Sequence, residues 1–196
     1  MNLLNKIYTN IIKIKYKNKV FFGNKLVVMG KIPYFKLPKN GKVVLGENII
    51  LNSDIKNSNT ALTYRCKFVT GYDGIIEIGD NTMINGSCIV SYLHVKFGKN
   101  CQIASSTLIS DTDFHPIDSV ARKAQVEGRE FSFDMVKKEK IDIGDNVWIG
   151  WNCTILKGVL IGDNSVIAAG SVVLRGNYPP NSLIAGNPAK VVKVLA

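Results

Sequence analysis

The sequence is poor in the residues that many functional sites require. It contains two histidines, His94 and His115, and four cysteines without a Cys-x-x-Cys pair, so a zinc site built from several such ligands has little support. It has no GxxxxGK[ST] loop and no strand-linked GxGxxG, so nucleotide hydrolysis and dinucleotide binding have no support either. No long apolar run predicts a membrane-spanning helix. With neither a cleavable signal sequence nor paired cysteines, the sequence favours a reducing cytoplasm.

Acidic residues are missing from the first part of the chain. No aspartate or glutamate precedes Glu47, whereas ten lysines do, and the remaining fifteen lysines and arginines equal the fifteen acids in number. The ten are Lys6, Lys13, Lys15, Lys17, Lys19, Lys25, Lys31, Lys36, Lys39 and Lys42. The formal charge of +10 therefore belongs to an N-terminal patch. This argues against reading the whole protein as a nucleic-acid binder, so no nucleic-acid partner is expected.

Aliphatic residues recur at every sixth position in the C-terminal half. The series is Ile143, Ile149, Ile155, Ile161, Ile167 and Val173. Small or β-branched residues follow the first five of these at a distance of four positions. A period of six fits neither the α-helix nor the two-residue alternation of a strand. It fits short straight segments wound around a triangular prism, in which three hexapeptides make one coil and stacked coils share columns of inward aliphatics.

The same period continues towards the N-terminus with interruptions. It is present at Leu45–Leu51, is lost between Lys56 and Glu77, and slips by one residue around Tyr92–Val95. It then stops between Ile109 and Ile143. Three cysteines stand at the small fifth position of a hexapeptide, and we expect their side chains to be buried fillers. These are Cys88, Cys101 and Cys153.

These patterns divide the chain into three parts. The sequence predicts a basic N-terminal segment at residues 1–29, a solenoid at 30–178 with an excursion loop at 110–140, and a C-terminal cap and strand at 179–196. Long excursions from a tightly turning repeat commonly carry binding or catalysis. The excursion is therefore the first place to look for a site.

Two hexapeptides carry a family resemblance. Ile143–Trp148 reads I-G-D-N-V-W and Ile161–Val166 reads I-G-D-N-S-V. They resemble the repeat of the hexapeptide acyltransferases, and the resemblance is strongest from Ile78 to Lys193 and closest to the O-acetyltransferases of galactosides, maltose and bacterial surface polysaccharides. It implies an all-β left-handed parallel β-helix that forms a homotrimer with sites between subunits. A γ-type carbonic anhydrase shares this architecture but needs three histidine ligands, so no metal is expected.

The N-terminal segment has its own pattern. Residues 2 to about 17 place apolar side chains at helical spacing, which predicts a short amphipathic basic helix. The stripe consists of Leu3, Leu4, Ile7, Tyr8, Ile11 and Ile14. Two compatible interpretations stay open. The stripe packs on the end of the solenoid or on a neighbouring subunit, or the helix lies peripherally on an anionic membrane surface near a lipid-linked sugar.

His115 opens the excursion in the run D-T-D-F-H-P. The resemblance implies that it is the general base. Acyl transfer from a thioester to a sugar hydroxyl requires removal of the hydroxyl proton during attack, and a neutral imidazole can accept it at cellular pH. Asp113 is a candidate to orient the ring. His94, which lies in the register slip, is expected to be a surface or turn residue.

The resemblance assigns roles to four residues around the acyl group. Asn85 and Trp148 match acceptor-binding positions, although an asparagine that stabilises a turn and a tryptophan at a subunit contact are the alternatives. Gly150 and Trp151 match the backbone that lines the thiol end of coenzyme A, and the Trp151 amide is the candidate oxyanion donor. The family usually has a small residue at the position of Trp151. The larger side chain is expected to narrow the acceptor pocket or to stack on a sugar.

The remaining cofactor residues follow from the same resemblance. Ala169 lies in a run with little side-chain bulk, where the pantetheine arm can approach the backbone. Arg175, Lys190 and Lys193 match basic positions at the adenine and phosphate end of the site.

The predicted activity is transfer of an acetyl group from acetyl-CoA to a sugar hydroxyl, in the cytoplasm and in the synthesis of a bacterial surface polysaccharide such as a capsule or O-antigen. Two alternatives remain. One is N-acetylation of an amino sugar, free or nucleotide-linked, although the sequence shows no features that stand out for recognising a nucleotide. The other is a non-enzymatic trimeric scaffold.

Overall fold

Three sheets of short parallel strands meet along three corners in the computed structural model, which describes residues 3–59 and 62–196. Successive strands along the chain belong to the first, second and third sheet in turn, so three strands complete one coil. This is the prism predicted from the hexapeptide period, and it agrees with the left-handed parallel β-helix that the family resemblance implies. In these described ranges, no helix has the length and apolar character needed to cross a bilayer.

The elements follow this order closely. The first sheet contains β1 (Val20–Phe22), β4 (Lys42–Leu45), β7 (Ile75–Ile78), β10 (His94–Phe97), β13 (Ile141–Ile143), β16 (Val159–Ile161) and β19 (Gly176–Tyr178). The second contains β2 (Leu26–Gly30), β5 (Ile49–Ser53), β8 (Met83–Asn85), β11 (Gln102–Ile103), β14 (Trp148–Ile149), β17 (Val166–Ile167), β20 (Ser182–Gly186) and the antiparallel β21 (Ala189–Val194). The third contains β3 (Tyr34–Lys36), β6 (Lys67–Thr70), β9 (Cys88–Ser91), β12 (Leu108–Ser110), β15 (Thr154–Leu156) and β18 (Val172–Val173). Two α-helices, α1 (Leu3–Lys15) and α2 (Ser119–Val126), and a 3₁₀ turn at Phe133–Met135 lie outside the sheets.

The aliphatic series forms the core, as predicted. Ile143 pairs with Ile161 in the first sheet, Ile149 pairs with Ile167 in the second and Ile155 pairs with Val173 in the third. All six side chains are buried. Complete burial of one such side chain stabilises the fold by about 1.5–3 kcal/mol. Stacked columns of this kind hold the coils in one register.

The I-G-D-N repeat is explained by the corner between the first and second sheets. Asn146 and Asn164 adopt left-handed backbone angles, with φ of 55° and 57°, and the Asn146 side-chain amide donates to the Asn164 carbonyl oxygen at 2.9 Å. The Asp163 carboxylate accepts the amide hydrogen of Asp145 at 2.8 Å. A side chain at Gly144 would overlap that carboxylate. Asparagine tolerates the left-handed region better than most residues, so the motif satisfies the turn and the stacking together.

The solenoid begins at Val20 rather than at residue 30. Strands β1 and β2 pair in parallel with β4 and β5, and Phe22 and Val28, which pair with Leu45 and Leu51, are also six residues apart. The predicted slip around Tyr92–Val95 is also distributed differently. Ile84 pairs with Ile103, but Ile89 and not Val90 pairs with Ile109. One segment is therefore short by a residue before Ile89, and the following turn is long. Between Lys56 and Glu77, the chain leaves β5 and rejoins the prism at β6.

Helix α1 packs on the first coil through a face other than the predicted stripe. Asn5, Thr9 and Ile12 are buried, whereas Leu3, Leu4, Ile7, Ile11 and Ile14 are exposed. Of the stripe, only Tyr8 packs against the core of this chain. Contact of the other five side chains with a neighbouring subunit or a membrane surface stays a prediction. Residue 2, where the sequence predicts the helix to begin, lies outside the described residues, and the helix ends at Lys15.

The Asn5 side chain takes the place of a neighbouring strand at the open edge of β2. Its amide nitrogen donates to the Leu26 carbonyl at 2.8 Å, and its oxygen accepts from the Val28 amide at 2.6 Å. An edge strand presents unpaired backbone groups, and buried groups of this kind must be satisfied. The Asn5 side chain therefore attaches α1 to β2 through two hydrogen bonds.

We expect Asn5→Ala to lower the free energy of unfolding by about 1–3 kcal/mol, because it leaves two buried backbone groups without partners. Asn10→Ala is the matched control, since Asn10 lies on the exposed side of the same helix. Urea unfolding of both variants measures the difference. Equal stability of the two variants would contradict the role assigned to Asn5.

The cysteines are free thiols with limited access to solvent. Cys66, Cys101 and Cys153 are buried and Cys88 is half-buried, so two of the three predicted fillers are fully enclosed. Burial raises the pKa of the Cys101 thiol to about 11, and it also raises the pKa of Cys66 and Cys153. Such thiols stay protonated and react slowly at neutral pH.

Candidate functional site

The excursion loop leaves the prism after β12 and returns at β13. These strands belong to the third and first sheets, so the loop projects from the corner between them. Its two ends are joined by backbone hydrogen bonds, from the Asp113 amide to the Lys137 carbonyl at 3.0 Å and from the Glu139 amide to the Asp111 carbonyl at 2.9 Å. These hydrogen bonds hold the two ends of the loop together, and we call the paired segments 111–113 and 137–139 the base of the excursion.

Asp111 anchors this base to the turn after β9. Its carboxylate accepts the Tyr92 amide at 2.6 Å, the Leu93 amide at 2.8 Å and the His94 amide at 2.9 Å. The Ser91 hydroxyl donates to the same carboxylate at 2.9 Å. Asp111 is completely buried. The register slip noted in the sequence is therefore the place where the excursion is fastened to the solenoid.

Phe114 has an unusual backbone conformation directly before the candidate base. Its φ is +63°, in the left-handed region that costs a non-glycine residue about 1–2 kcal/mol. Its ring makes an edge-to-face contact with Tyr92, with centroids 5.9 Å apart. The Phe114 amide donates to the Thr112 hydroxyl at 3.3 Å. These contacts stabilise the turn at Phe114, and the turn directs the side chain of His115 outward.

His115 is exposed and its ring is held by α2. Nδ1 lies 2.8 Å from Oε1 of Gln125. Because an amide oxygen only accepts, Nδ1 carries the hydrogen in this contact, and the lone pair remains on Nε2. The ring is therefore held in the tautomer that a general base requires, with its basic nitrogen free.

Local sequence signals position α2 beneath the histidine. Asp118 caps the helix by accepting the Ala121 amide at 2.8 Å, and Gly128 follows its end with φ of +68°. Arg122 donates from Nη1 to the Pro116 carbonyl at 3.1 Å and to the Ile117 carbonyl at 2.6 Å. The Arg122 side chain thus fixes the segment that follows His115 to α2.

Asp113 does not orient the imidazole. Its Oδ1 forms an ion pair with Nζ of Lys157 at 2.6 Å. Nδ1 of His115 is hydrogen-bonded to Gln125 instead. Lys157 follows β15 at the corner from which the excursion projects. The pair therefore fastens the loop to the solenoid, and neither Gln125 nor Lys157 carries a sequence signal that marks it in advance.

His94 begins β10 and is half-buried, with Nε2 3.4 Å from Oε2 of Glu77. It is not a turn residue, although it follows the turn held by Asp111. Within the described part of the chain, no group of three or more His, Cys, Asp or Glu side chains is arranged to hold a metal ion.

Gly150, Trp151 and Ala169 come together at a second corner, between the second and third sheets. A Cβ on Gly150 would lie 2.6 Å from the Ala169 nitrogen, so glycine is needed for this close approach. The Gly170 amide donates to the Trp151 carbonyl at 2.9 Å. Among the described residues, the Trp151 amide itself has no hydrogen-bond partner. At this corner two successive coils are in close backbone contact, and the Trp151 amide is available as a donor.

The basic residues predicted for phosphate binding fall in two places. Lys190 and Lys193 lie on β21, where they pair with Ala185 and Leu183 of β20 in the second sheet. Arg175 lies instead beyond β18, at the corner that carries the excursion, and its Nε is 3.0 Å from Oε2 of Glu139. One chain therefore does not bring all three cations together.

Asn85 and Trp148, the two residues predicted to bind the acceptor sugar, differ in how available their side chains are to a ligand. The Asn85 oxygen accepts from Nδ2 of Asn52 at 3.0 Å, and its amide donates to the Ile103 carbonyl at 3.1 Å. These contacts link three coils at the end of β8, so Asn85 has a structural role that differs from the turn-stabilising one considered. Trp148 is 54% exposed on the outer face of the second sheet, and Trp151 is 56% exposed at the corner beside it.

The predicted residues therefore form two half-sites. His115 projects from one corner of the prism, whereas Gly150, Trp151 and Ala169 line another, a full sheet width away. In the described ranges, no hydrogen bond or ring contact joins the excursion to that second corner. The excursion also exposes Ile117, Val120, Val126 and Phe133. These four exposed apolar side chains make the excursion a candidate protein interface.

Comparison with known proteins supports the interpretation of the repeat. Residues 140–175 match the family described as the hexapeptide repeat of succinyl-transferase. The galactoside O-acetyltransferase of Escherichia coli K12 is 42% identical over 123 residues, which cover 62% of this chain and 55% of that protein. A second protein of this strain, whose name assigns it to O-acetyl transfer in lipopolysaccharide biosynthesis, is 37% identical over 123 residues, which cover 61% of each. The chain thus spans between 55% and 61% of the length of these curated relatives.

Solved structures of a hexapeptide-repeat-containing acetyltransferase are also similar to this chain. The crystal structure of a hexapeptide-repeat-containing acetyltransferase of Vibrio cholerae is similar, with a TM-score of 0.56 and 33% identity over 66% of this chain and 68% of that chain. The structure of that acetyltransferase in complex with acetyl coenzyme A gives a TM-score of 0.55, with 33% identity over 66% of this chain and 65% of that chain.

Proposed function

Because the chain belongs to the hexapeptide-repeat-containing acetyltransferases, we propose that it transfers an acetyl group from acetyl-CoA to a hydroxyl of a sugar. One observation carries this proposal. The excursion presents His115 with Nδ1 bonded to Gln125, so that Nε2 is free to accept a proton. The relatives named for O-acetyl transfer to galactosides and in lipopolysaccharide biosynthesis support a sugar acceptor.

The proposed reaction needs a base and no covalent enzyme intermediate. Nε2 of His115 removes the proton of the acceptor hydroxyl while its oxygen attacks the thioester carbonyl. The tetrahedral intermediate then collapses, the carbon–sulfur bond breaks, and the imidazolium returns its proton to the thiolate of coenzyme A. Base catalysis of this kind contributes about 10²–10⁴ in rate.

The second corner supplies the complementary half of the site. The unpartnered amide of Trp151 is our candidate donor to the oxyanion of the tetrahedral intermediate. The backbone at Gly150 and Ala169 is proposed to line the pantetheine arm of coenzyme A, and Lys190 and Lys193 are proposed to bind the phosphates of the cofactor. Arg175 contributes at that end only after releasing Glu139. Exposed Trp148 is proposed to contact the acceptor. Asn85, two coils away in the same sheet and held by the coils on either side of it, is proposed as a second acceptor contact.

The two half-sites meet when three chains assemble. We propose a homotrimer in which the excursion of one subunit covers the second corner of its neighbour. The exposed apolar residues of the excursion support this arrangement, because the contact would bury them. Four free thiols fit a reducing compartment, so we place the reaction in the cytoplasm, in the synthesis of a bacterial surface polysaccharide.

The direct test is thiol release from acetyl-CoA, corrected for hydrolysis, in the presence of free sugars, amino sugars, nucleotide sugars and oligosaccharides. Release that depends on a hydroxyl acceptor supports the proposal. Release only with amino sugars would assign N-acetylation instead. Coenzyme A at a hundred times its dissociation constant should add about 2.7 kcal/mol of stability. No thermal shift and no release with any acceptor would favour a scaffold.

Gln125 provides a finer test of the proposed base. We expect Gln125→Ala to lower kcat about tenfold with little change in KM, because the ring loses the partner that sets its tautomer. Gln125→Glu keeps an acceptor and should retain activity. The carboxylate stabilises the imidazolium, so the acidic limb of the pH–rate profile should move to higher pH.

Lys123→Ala on the exposed side of α2 is the control for both Gln125 variants. An unchanged pH profile in Gln125→Glu would show that Gln125 acts only on the stability of the loop.

A further inference from the structure

Helix α1 turns its apolar stripe away from the protein. Asn5, Thr9 and Ile12 face the first coil, and the stripe lies on the opposite side of the helix. Five of its six side chains, Leu3, Leu4, Ile7, Ile11 and Ile14, are between 39% and 80% exposed, and Tyr8 is half-buried at its edge. A soluble surface helix normally faces its apolar side inward. The inverted arrangement is the clearest feature that the proposed catalytic site leaves unexplained.

Lysines flank this stripe on both sides. At 3.6 residues per turn, Lys6 and Lys13 lie along one border and Lys15 along the other. All three are exposed, as are Lys25 and Lys31 in the first coil beneath the helix. None of the ten lysines before Glu47 forms an ion pair with a carboxylate in the described residues. The apolar stripe is thus surrounded by positive charge that the protein does not neutralise.

We propose that α1 is a docking face for an anionic phospholipid bilayer. The helix lies flat in the headgroup region, with the five apolar side chains inserted and the flanking lysines on lipid phosphates. Charge selects this occupant over a second copy of the chain. Two such faces brought together would place their lysines side by side and repel each other, whereas an anionic surface complements them. The proposal does not depend on the acetyltransferase activity.

The experiment is co-sedimentation of the full chain with vesicles of phosphatidylcholine, with and without phosphatidylglycerol. We expect binding only to the anionic vesicles, and we expect it to weaken as salt is added. The double variants Ile7→Ser/Ile11→Ser and Lys6→Glu/Lys13→Glu should each reduce partitioning by about tenfold or more. Lys96→Glu/Lys140→Glu changes the net charge equally at exposed positions outside α1, and it should reduce binding by less than about threefold.

Several results would overturn the proposal. These are no binding to anionic vesicles at low salt, equal losses in the two lysine double variants, or no loss in the isoleucine double variant. The last two would indicate adsorption by net charge alone. A wild-type assembly that binds no vesicles and is larger than the isoleucine variant in size-exclusion chromatography would assign the stripe to self-association. Circular dichroism and melting curves that match the wild type show that each variant is folded.

Discussion

His115→Ala is expected to lower the rate of acetyl transfer by about 10²–10⁴-fold while leaving coenzyme A binding intact. The physical reason is the geometry of the excursion. The ring is exposed, and Oε1 of Gln125 accepts a hydrogen bond from its Nδ1. Nε2 has no partner in the described chain. Without that nitrogen, no side chain at this position can take the hydroxyl proton during attack. Steady-state kinetics with the best acceptor from the panel measures the effect, and a thermal shift with coenzyme A confirms that the cofactor still binds.

The matched control is His94→Ala, which removes the other histidine of the chain. His94 is half-buried next to Glu77 and takes no part in the proposed reaction. We expect it to retain most of the activity. If the two variants lose activity equally, the loss reflects the fold and the assignment of His115 as the base fails.

Asp111→Ala is expected to lower the free energy of unfolding by about 3 kcal/mol or more, the largest stability effect of the predicted substitutions. The buried carboxylate accepts three backbone amides, from Tyr92, Leu93 and His94, and the Ser91 hydroxyl. Each buried donor left without an acceptor costs about 1–3 kcal/mol. The same change releases the base of the excursion, so activity should fall as well. Chemical denaturation together with the acetyl-transfer assay measures both effects.

Asp111→Asn sharpens the test. Its amide nitrogen cannot accept, so at least one of the donors remains unsatisfied, and we expect an intermediate loss of stability. Asp142→Ala removes an exposed carboxylate from β13 and should change stability by less than about 0.5 kcal/mol. A wild-type denaturation midpoint in Asp111→Ala would show that the turn is satisfied in another way.

The repeat could be predicted from the sequence because its signal is local. An inward aliphatic every six residues and a G-D-N corner are requirements that each coil imposes on its own hexapeptide, and the structure shows Ile143 to Val173 buried as expected. The first coil was missed because its six-residue period spans a single step. Phe22 and Val28 are six residues apart, but Phe35, the matching residue of the third strand, follows Val28 by seven. The parallel pairing of this coil, such as Leu26 with Ile49, becomes visible only in three dimensions.

The excursion illustrates the opposite case. His115 could be selected from the sequence because it opens the interruption of the repeat and because the run around it resembles that of the family. Its partner could not be selected, because contact with Gln125 depends on how α2 folds back. Asp113 is nearer in sequence, yet Lys157 from the next coil takes its carboxylate. Separation along the chain is a poor guide to contact inside a folded loop.

The sequence by itself determined the solenoid, the position of the excursion and the basic N-terminal segment, because hexapeptide periodicity and charge are properties of neighbouring residues. The tertiary structure alone decided which face of α1 is buried. Helical spacing marks an apolar stripe, but the unpaired backbone of β2 recruits Asn5 and turns that stripe outward. The tertiary structure also decided that His115 and Gly150 lie at different corners of the prism. That separation follows from strand order, which no local pattern contains.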